Sequence, residues 1–225
     1  MIILTERLKK TSELIGETHT LADIGCDHGY LPISLMQRGK ISFAYACDVK
    51  DGPLQAANKN IIKYGFSDKI ITVKSDGLTG ITEKKADVIS VCGMGGRLIA
   101  KIISDNIEFA KKADRLILQP MTEVYFLRKF LANNGFIIKK EVLAREDDRF
   151  YNIIHAEKGE NEKNDLFSLY FGCFSDDEAL KLPYFEKHLR ILSANLKSKA
   201  GKEDTKELEY LVENLKKTIK FNENA

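Results

Sequence analysis

The stretch LADIGCDHGYLP, residues 21–32 of this 225-residue chain, determines the predicted fold class. Residues 20–24 are short and mostly apolar, which is typical of a buried strand. Gly25 and Gly29 allow the backbone to bend and to approach a ligand closely, and the residues from Tyr30 onward can form a helix. The stretch therefore predicts a strand that runs into a ligand-binding turn and then into a helix.

Asp23, Gly25, Asp27 and Gly29 fall on alternate positions of this stretch. The spacing matches the acidic-x-Gly-x-Gly-x-Gly turn of enzymes that use S-adenosylmethionine (SAM), except that Asp27 stands where the middle glycine is usual. A nicotinamide fingerprint, G-x-G-x-x-G, requires a third glycine for helix packing, and no such run follows Leu21. An ordinary strand-turn-helix corner is the alternative interpretation of this stretch alone.

Composition indicates a globular protein, with 44% hydrophobic and 30% charged residues. No apolar run approaches the roughly 20 residues that a helix needs to cross a bilayer. The N-terminus carries Glu6, Lys9 and Lys10 and does not read as a secretory signal, so we expect no membrane association and a cytoplasmic location. A net charge of +2 does not by itself indicate a nucleic-acid partner.

The four cysteines, Cys26, Cys47, Cys92 and Cys173, are widely spaced in the sequence. They form no C-x-x-C pair, and no histidine lies at the spacing of a standard zinc motif. We therefore predict free thiols and no metal site.

Acidic residues follow the second and third predicted strands, residues 42–47 and 70–73. Asp48 lies about 20 residues beyond the glycine turn, where a carboxylate binds the ribose hydroxyls in dinucleotide and SAM folds. Asp76, which precedes Gly77, could accept a hydrogen bond from the exocyclic amine of a cofactor adenine. The alternatives are a helix cap at Asp48 and an ordinary turn aspartate at Asp76.

A glycine-rich segment follows the fourth predicted strand, residues 86–92. It reads Gly93-Met94-Gly95-Gly96, permits close backbone approach to a ligand and opens a helix over residues 97–103. A flexible turn is the alternative. Since ligands of doubly wound sheets bind outside the carboxyl ends of the strands, we expect the acids and glycines of these four strand ends to line one pocket.

Three further strands complete the predicted sheet, over residues 115–118, 136–142 and 151–156. The last two, joined by a polar connection over residues 144–149, are predicted to form an antiparallel hairpin at the edge of a doubly wound, mainly parallel α/β sheet. A helix over residues 4–15 precedes the first strand. Its Arg7 is either a solvated surface residue or a cation over the cofactor site.

A charged break over residues 158–164 separates a predicted core domain, residues 1–160, from an appendage, residues 161–225. Apolar residues recur at helical spacing on both sides of a break at Gly201, namely Phe185, Leu189, Leu192, Leu196, Leu208, Val212, Leu215 and Ile219. This pattern predicts an antiparallel helical hairpin. Its basic residues are mixed with nearly as many acids, so they form either a solvated face or an arm that contacts phosphates.

Taken together, these motifs resemble the bacterial TrmK family of tRNA adenine N1-methyltransferases, which modify the adenine at tRNA position 22. The resemblance covers nearly the whole chain. It rests on Leu4-x-x-Arg7-Leu8, Asp23-Ile-Gly-x-Asp27-His28-x-Tyr30-Leu31-Pro32, Gly93-Met94-Gly95-Gly96, Gln119-Pro120, Phe150-Tyr151 and the helical tail.

The resemblance implies a Rossmann-like domain that binds SAM, a helical tail that helps to hold tRNA, and methyl transfer to N1 of adenine 22. The predicted cofactor-binding residues are Arg7, Asp23, Gly25, Asp27, Asp48, Val49, Asp76, Gly77, Gly93 and Met94. Asp27 and His28 are the candidate catalytic residues. Asp27 would accept a hydrogen bond from the exocyclic amine of the target base, and His28 would either donate to the base or cap the following helix.

Two other functions are compatible with parts of the sequence. A NAD(P)-dependent oxidoreductase would also place an acid at Asp48. An RNA-binding protein could retain an inactive methyltransferase fold. The Asn-Pro-Pro-Tyr-type motif of amine-methylating enzymes is absent after the fourth strand, which argues against methylation of the exocyclic nitrogen.

Overall fold

The computed structural model describes residues 2–160, 165–175, 179–199 and 205–223. The chain divides into two compact units, Met1–Asn164 and Asp165–Ala225. The predicted domain boundary after residue 160 adjoins residues 161–164, which lie outside the described residues. The predicted helix break at Gly201 also lies outside them.

Helices and strands alternate along most of the first unit. In chain order they are α1 (Glu6–Ile15), β1 (Thr18–Ile24), α2 (Tyr30–Gln37), β2 (Ile41–Asp48), α3 (Asp51–Lys63), β3 (Ile70–Lys74), β4 (Val88–Gly95), α4 (Gly96–Asp105), α5 (Ile107–Ala110), β5 (Arg115–Thr122), α6 (Val124–Asn133), β6 (Phe136–Glu146) and β7 (Arg149–Lys158). A single 3-10 turn, Thr79–Ile81, lies between β3 and β4.

The seven strands form one sheet in the order β3-β2-β1-β4-β5-β7-β6. Strands β1 to β5 are parallel to one another, and β7 runs antiparallel to both β5 and β6. The predicted doubly wound, mainly parallel sheet with an antiparallel hairpin is confirmed. The order reverses between β1 and β4, and ligands of such sheets bind at this switch point.

Side chains of the central strands alternate between two apolar cores, one on each face of the sheet. In β5, Leu116 and Leu118 belong to one core and Ile117 to the other. In β1, Ala22 and Leu21 are divided in the same way. Because helices cover both faces, both sets of positions are apolar, which explains the nearly continuous apolar runs in the sequence.

Several strand boundaries differ from the prediction, and β5, for example, continues to Thr122 instead of ending at residue 118. Strand β4 extends to Gly95, so most of the glycine-rich segment is an irregular strand end rather than a turn. Strands β6 and β7 are longer than predicted, so only Asp147 and Asp148 connect them. The predicted connection over residues 144–149 was therefore wrong. The tip of this hairpin is polar, so no apolar alternation marks it as strand in the sequence.

The edge hairpin is joined to α6 by buried polar side chains. The Arg128 guanidinium donates to Glu141 Oε1 and to Asn152 Oδ1, each at 2.9 Å. All three residues are buried. A buried arginine is tolerated only when its donors are paired in this way, so these contacts fix how α6 lies on the hairpin.

The described residues of the second unit form three helices, α7 (Leu166–Phe171), α8 (Lys181–Lys199) and α9 (Lys206–Glu223). Phe171 and Phe185 are almost fully buried and pack edge-on against each other. The apolar residues that predicted the helical tail are buried or half-buried along α8 and α9. Short helix α7 was not predicted, because six residues are too few for a helical period to be distinguished.

Within the described ranges, no helix combines the length and the apolar character needed to cross a bilayer.

Candidate active site

A cavity of about 380 Å³ lies at the switch point between β1 and β4. Its walls come from α1, the β1–α2 loop, the end of β2 and the end of β4. The residues that line it are Arg7, Leu8, Asp23, Gly25, Cys26, Asp27, His28, Tyr30, Leu31, Asp48, Cys92, Gly93 and Met94. Its volume lies within the range of about 300 to 1,000 Å³ that is usual for small-molecule sites.

The turn after β1 is tied to the end of β2. The backbone N–H groups of Gly25 and Cys26 both donate to the Cys47 carbonyl, each at 2.9 Å. Gly25 has a φ of +75°, and a Cβ at this position would lie only 2.3 Å from Met94 Cε. Gly25 therefore satisfies a left-handed backbone, and the flexible end of the Met94 side chain fills the space that a Cβ would occupy.

Asp23 is the acidic group buried most deeply in the cavity wall. It lies opposite Ser90 of β4, and Ser90 Oγ donates to Asp23 Oδ1 at 2.7 Å. Burial raises the pKa of the Asp23 carboxyl to about 6, helped by the negative charge of Asp48 and opposed by the hydrogen bond from Ser90. The site therefore concentrates negative charge that a cationic ligand would stabilise.

Asp48 ends β2 and lines the same cavity. Its Oδ1 accepts a hydrogen bond from the Lys50 backbone N–H at 3.0 Å, which fixes one oxygen of the carboxylate. No described residue donates a hydrogen bond to Asp48 Oδ2, which can therefore accept one from a hydroxyl group. A carboxylate at this place is the acid that binds ribose in doubly wound folds.

The thiols near the cavity are not activated nucleophiles. Burial raises the pKa of Cys47 and of Cys92 to about 12, and it raises the pKa of Cys26 further. All three therefore stay protonated near neutral pH. The four cysteines are free, as predicted.

Asp27, His28 and Tyr30 form the exposed rim of the cavity. Asp27 has a left-handed backbone, with a φ of 49°, and its carboxylate is 73% exposed at 3.6 Å from His28 Nε2. The His28 and Tyr30 rings stack in parallel with centroids 5.3 Å apart. Helix α2 is capped by Gly29 without a side-chain hydrogen bond, so the alternative role of His28 as a helix cap is wrong.

Arg7 reaches the cavity from α1, although it precedes the fold-determining motif in the sequence. Its Nη1 donates to Gln119 Oε1 at 2.7 Å, and the same oxygen accepts the Gly93 backbone N–H at 3.1 Å. Arg7 is therefore held against the end of β4 and is not a solvated surface residue.

Eight of the predicted residues line this one cavity, namely Arg7, Asp23, Gly25, Asp27, His28, Asp48, Gly93 and Met94. Val49, Asp76 and Gly77 do not line it. Val49 is 53% exposed immediately after β2. The end of β3 is brought beside β2 by a hydrogen bond from the Ser75 N–H to the Asp48 carbonyl at 3.0 Å, and Asp76 is exposed just beyond it.

Sequence reasoning assigned no role to Gln119, Tyr30 or Leu8. Gln119 belonged to a motif of the resemblance, and its signal is an uncharged polar residue inside an otherwise apolar strand. Tyr30 was named as the first residue of a helix and in a motif of the resemblance, without a role in the site. Leu8 directly follows Arg7 in α1 and lines the cavity beside it.

No group of three or more His, Cys, Asp or Glu side chains suited to a metal ion occurs in the part of the chain that the structure describes.

Comparison with known proteins identifies related methyltransferases. Residues 4–154 match a family model described as a methyltransferase domain. The chain is 35% identical to the tRNA (adenine(22)-N(1))-methyltransferase of Bacillus subtilis, over 71% of this chain and 67% of that protein.

Solved structures give a more complete match. A Streptococcus pneumoniae protein in complex with SAM has a TM-score of 0.86 and 31% identity, over 96% of this chain and 100% of that one. M. capricolum TrmK in complex with S-adenosyl-homocysteine has a TM-score of 0.82 and 29% identity, over 97% of this chain and 99% of that one.

The buried carboxyl of Asp23 predicts a pH dependence of stability. Because its pKa is raised from 3.8 to about 6 in the folded protein, the folded state holds this proton more tightly than the unfolded chain does. This contribution to stability is complete below about pH 4 and is lost as the pH rises through about 6, a loss of about 3 kcal/mol. Asp23→Asn cannot ionise and should not show it.

Urea unfolding of the parent and of Asp23→Asn at several values between pH 4 and pH 7 measures this difference. The free energy of unfolding of the variant, relative to the parent, should rise by about 3 kcal/mol across this range. Ser90→Ala removes the hydrogen bond that favours the charged carboxylate, so its loss of stability should extend to higher pH. A constant difference between Asp23→Asn and the parent would show that Asp23 is not perturbed.

Proposed function

The chain belongs to the TrmK family of tRNA (adenine(22)-N(1))-methyltransferases, and we propose that it transfers a methyl group from SAM to N1 of the adenine at position 22 of tRNA. One observation carries the proposal: Asp23, Asp48, Arg7 and Gly93 surround a single cavity at the switch point of the sheet. SAM is the cofactor, as predicted, since relatives over the full length of this chain bind SAM and S-adenosyl-homocysteine. The oxidoreductase alternative has no such support.

The charges of the cavity fit those of SAM. SAM carries a sulfonium and an ammonium cation, one carboxylate and a ribose with two hydroxyls. We assign Asp48 to the ribose hydroxyls, Arg7 to the carboxylate, and the negative charge of Asp23 to the cationic end. Backbone at Gly25 and Gly93 allows the ligand to approach both strand ends closely.

Three of the predicted cofactor-binding residues lie outside the cavity lining. Val49, Asp76 and Gly77 follow the ends of β2 and β3, on the side of Asp48. In this position Asp76 would accept a hydrogen bond from the adenine amine of the cofactor. Met94 would contact the cofactor from the end of β4.

SAM supplies an electrophilic methyl group when it is bound. N1 of neutral adenine has a free lone pair and carries no proton, so the protein has no need of a strong general base before attack. Its contribution is to hold N1 in line with the methyl group and to exclude other geometries. Asp27, at the exposed rim, would accept a hydrogen bond from the exocyclic amine and stabilise the positive charge that develops on the base.

The stacked rings of His28 and Tyr30 provide an aromatic surface beside Asp27. Both rings are partly exposed, and aromatic rings in such positions commonly stack with bases. A target base in folded tRNA has to be unstacked or turned outward before it can enter a cavity. We assign the two rings to holding adenine 22 in that state.

The helical second unit is the proposed tRNA-binding part of the protein. The basic residues of α8 and α9 would contact tRNA phosphates, and the alternative is a mixed solvated face. With a tRNA substrate, the enzyme would work in the cytoplasm.

A methyl-mapping assay tests the proposed function. The protein is incubated with SAM carrying a labelled methyl group and with an unmodified tRNA that has adenine at position 22, and the label is located by nuclease digestion. Label at N1 of adenine 22 supports the proposal, and a tRNA with guanine at position 22 should remain unlabelled. An RNA-binding protein without activity would bind the tRNA and leave no label.

Asp48→Ala should weaken SAM binding by about 10- to 100-fold, because charge-assisted hydrogen bonds contribute about 1.5 to 3 kcal/mol. Isothermal titration calorimetry with SAM measures the change. Asp51→Ala is the matched control, since Asp51 lies three residues later and pairs with Lys74 outside the cavity. Equal affinity of the parent and Asp48→Ala for SAM would remove Asp48 from the site.

Tyr30→Leu should lower kcat/KM for tRNA by about tenfold, in keeping with about 1 to 3 kcal/mol for stacking of one base. The affinity for SAM should stay close to that of the parent, because leucine preserves the apolar wall. Tyr64→Leu, at the end of α3 and outside the cavity lining, is the control. Unchanged kinetics with tRNA would contradict a stacking role.

A further inference from the structure

The pairing of β4 with β5 is interrupted beside the cavity. Cys92 pairs with Gln119 and Met94 with Pro120, so Gly93 is an extra residue without a paired residue in β5. Gly93 has a φ of +77°, which a residue with a side chain rarely adopts. Pro120 has no N–H group, so β5 offers no backbone donor at this point, and the Gly93 N–H, itself a donor, needs an acceptor other than a paired residue of β5. The end of β4 therefore needs another partner.

The side chain of Gln119 is that partner. It is fully buried, and its Oε1 accepts the Gly93 N–H at 3.1 Å and Arg7 Nη1 at 2.7 Å. Its Nε2 donates to the Pro120 carbonyl at 2.9 Å. Met121 Sδ, 3.7 Å from Nε2, is a second and weaker acceptor. Two donors and two acceptors thus surround the amide, and only one orientation of the amide satisfies all four contacts.

Within the described residues, the Arg7 guanidinium has no hydrogen bond or ion pair other than the one to Gln119. Its backbone N–H donates to Glu146 Oε1 at 2.8 Å, and its carbonyl accepts from Thr11, so these bonds hold the helix and not the side chain. The guanidinium lies 5.8 Å from the centre of the Tyr151 ring, at the long end of a cation–π contact. Gln119 is thus the polar contact that sets where the cation points.

We propose that Gln119 is a positioning residue of the methyl-donor site, which holds the Arg7 guanidinium and the Gly93 peptide in the orientation that SAM requires. This inference rests on the proposed function of the cavity. Gln119 does not line the cavity and acts through two residues that do. One buried oxygen therefore couples α1 to the end of β4.

Gln119→Met tests the proposal, because methionine preserves the length and volume of the side chain but accepts no hydrogen bond of useful strength. The Kd for SAM, measured by calorimetry, should rise about tenfold, since two donors lose their acceptor. The kcat at saturating SAM and tRNA should change less than the KM for SAM. Gln37→Met is the matched control, since Gln37 Oε1 also accepts a backbone N–H, that of Ile2, but lies outside the cavity lining.

Coupling between Gln119 and Arg7 separates positioning from a general structural effect. In the double variant Arg7→Met/Gln119→Met, the increase in the Kd for SAM should be smaller than the product of the two single increases. Amide exchange of Gly93, followed by NMR, should be faster in Gln119→Met and unchanged in Gln37→Met. Independent effects on Kd, or an unchanged Gly93 amide in a folded Gln119→Met, would overturn the proposal.

The parent protein supplies a measurement that does not require any variant to fold. Without SAM, the Gly93 amide should exchange slowly with solvent even though it has no strand partner, and fast exchange would show that Gln119 does not hold it. Failure of the proposed function has a different signature. It would appear in the parent as SAM binding without methylation of tRNA, whatever the result for Gln119.

Discussion

The parallel pairing of β1 with β4 is the contact on which both the fold and the cavity depend. It joins the two halves of the sheet, and it brings the glycine turn after β1 beside the irregular end of β4. It also buries the Asp23 carboxyl against Ser90. A carboxyl with a raised pKa at the centre of a sheet opposes stability near neutral pH, and a cationic ligand would recover part of that energy. The buried Asp23 carboxyl thus lowers the stability of the free protein and attracts a cationic ligand.

The elements of the sheet could be predicted from the sequence because they are encoded locally. Apolar runs mark β1 to β5, since helices cover both faces, and glycines mark the turns that follow them. The strand residues that flank the hairpin tip and the extension of β4 to Gly95 were missed, because polar or glycine-rich strand ends lack that pattern. Strand identity is therefore more predictable than strand length at the ends of a sheet, which is where the site lies.

The cavity itself was only partly predictable. Asp23 and Asp48 follow from their positions at strand ends, and the structure places them together. The contact between Arg7 and Gln119 joins residues 112 positions apart, and no local pattern connects them. Tyr30 is similar, because its stacking on His28 depends on the conformation of the turn between them. For residues that act through a fold-dependent neighbour, one sequence does not identify that neighbour.

The buried contacts between Arg128, Glu141 and Asn152 determine the alignment of the edge hairpin. Side chains of a strand alternate between faces, so a shift of β6 by one residue would turn Glu141 away from α6. Arg128 would then be buried without its carboxylate, at a cost of about 3 to 5 kcal/mol. The two-residue connection at the tip restricts the number of alignments, and the charges select one of them. The same alignment fixes the position of Glu146, the last residue of β6, whose carboxylate accepts a hydrogen bond from the Arg7 backbone N–H of α1.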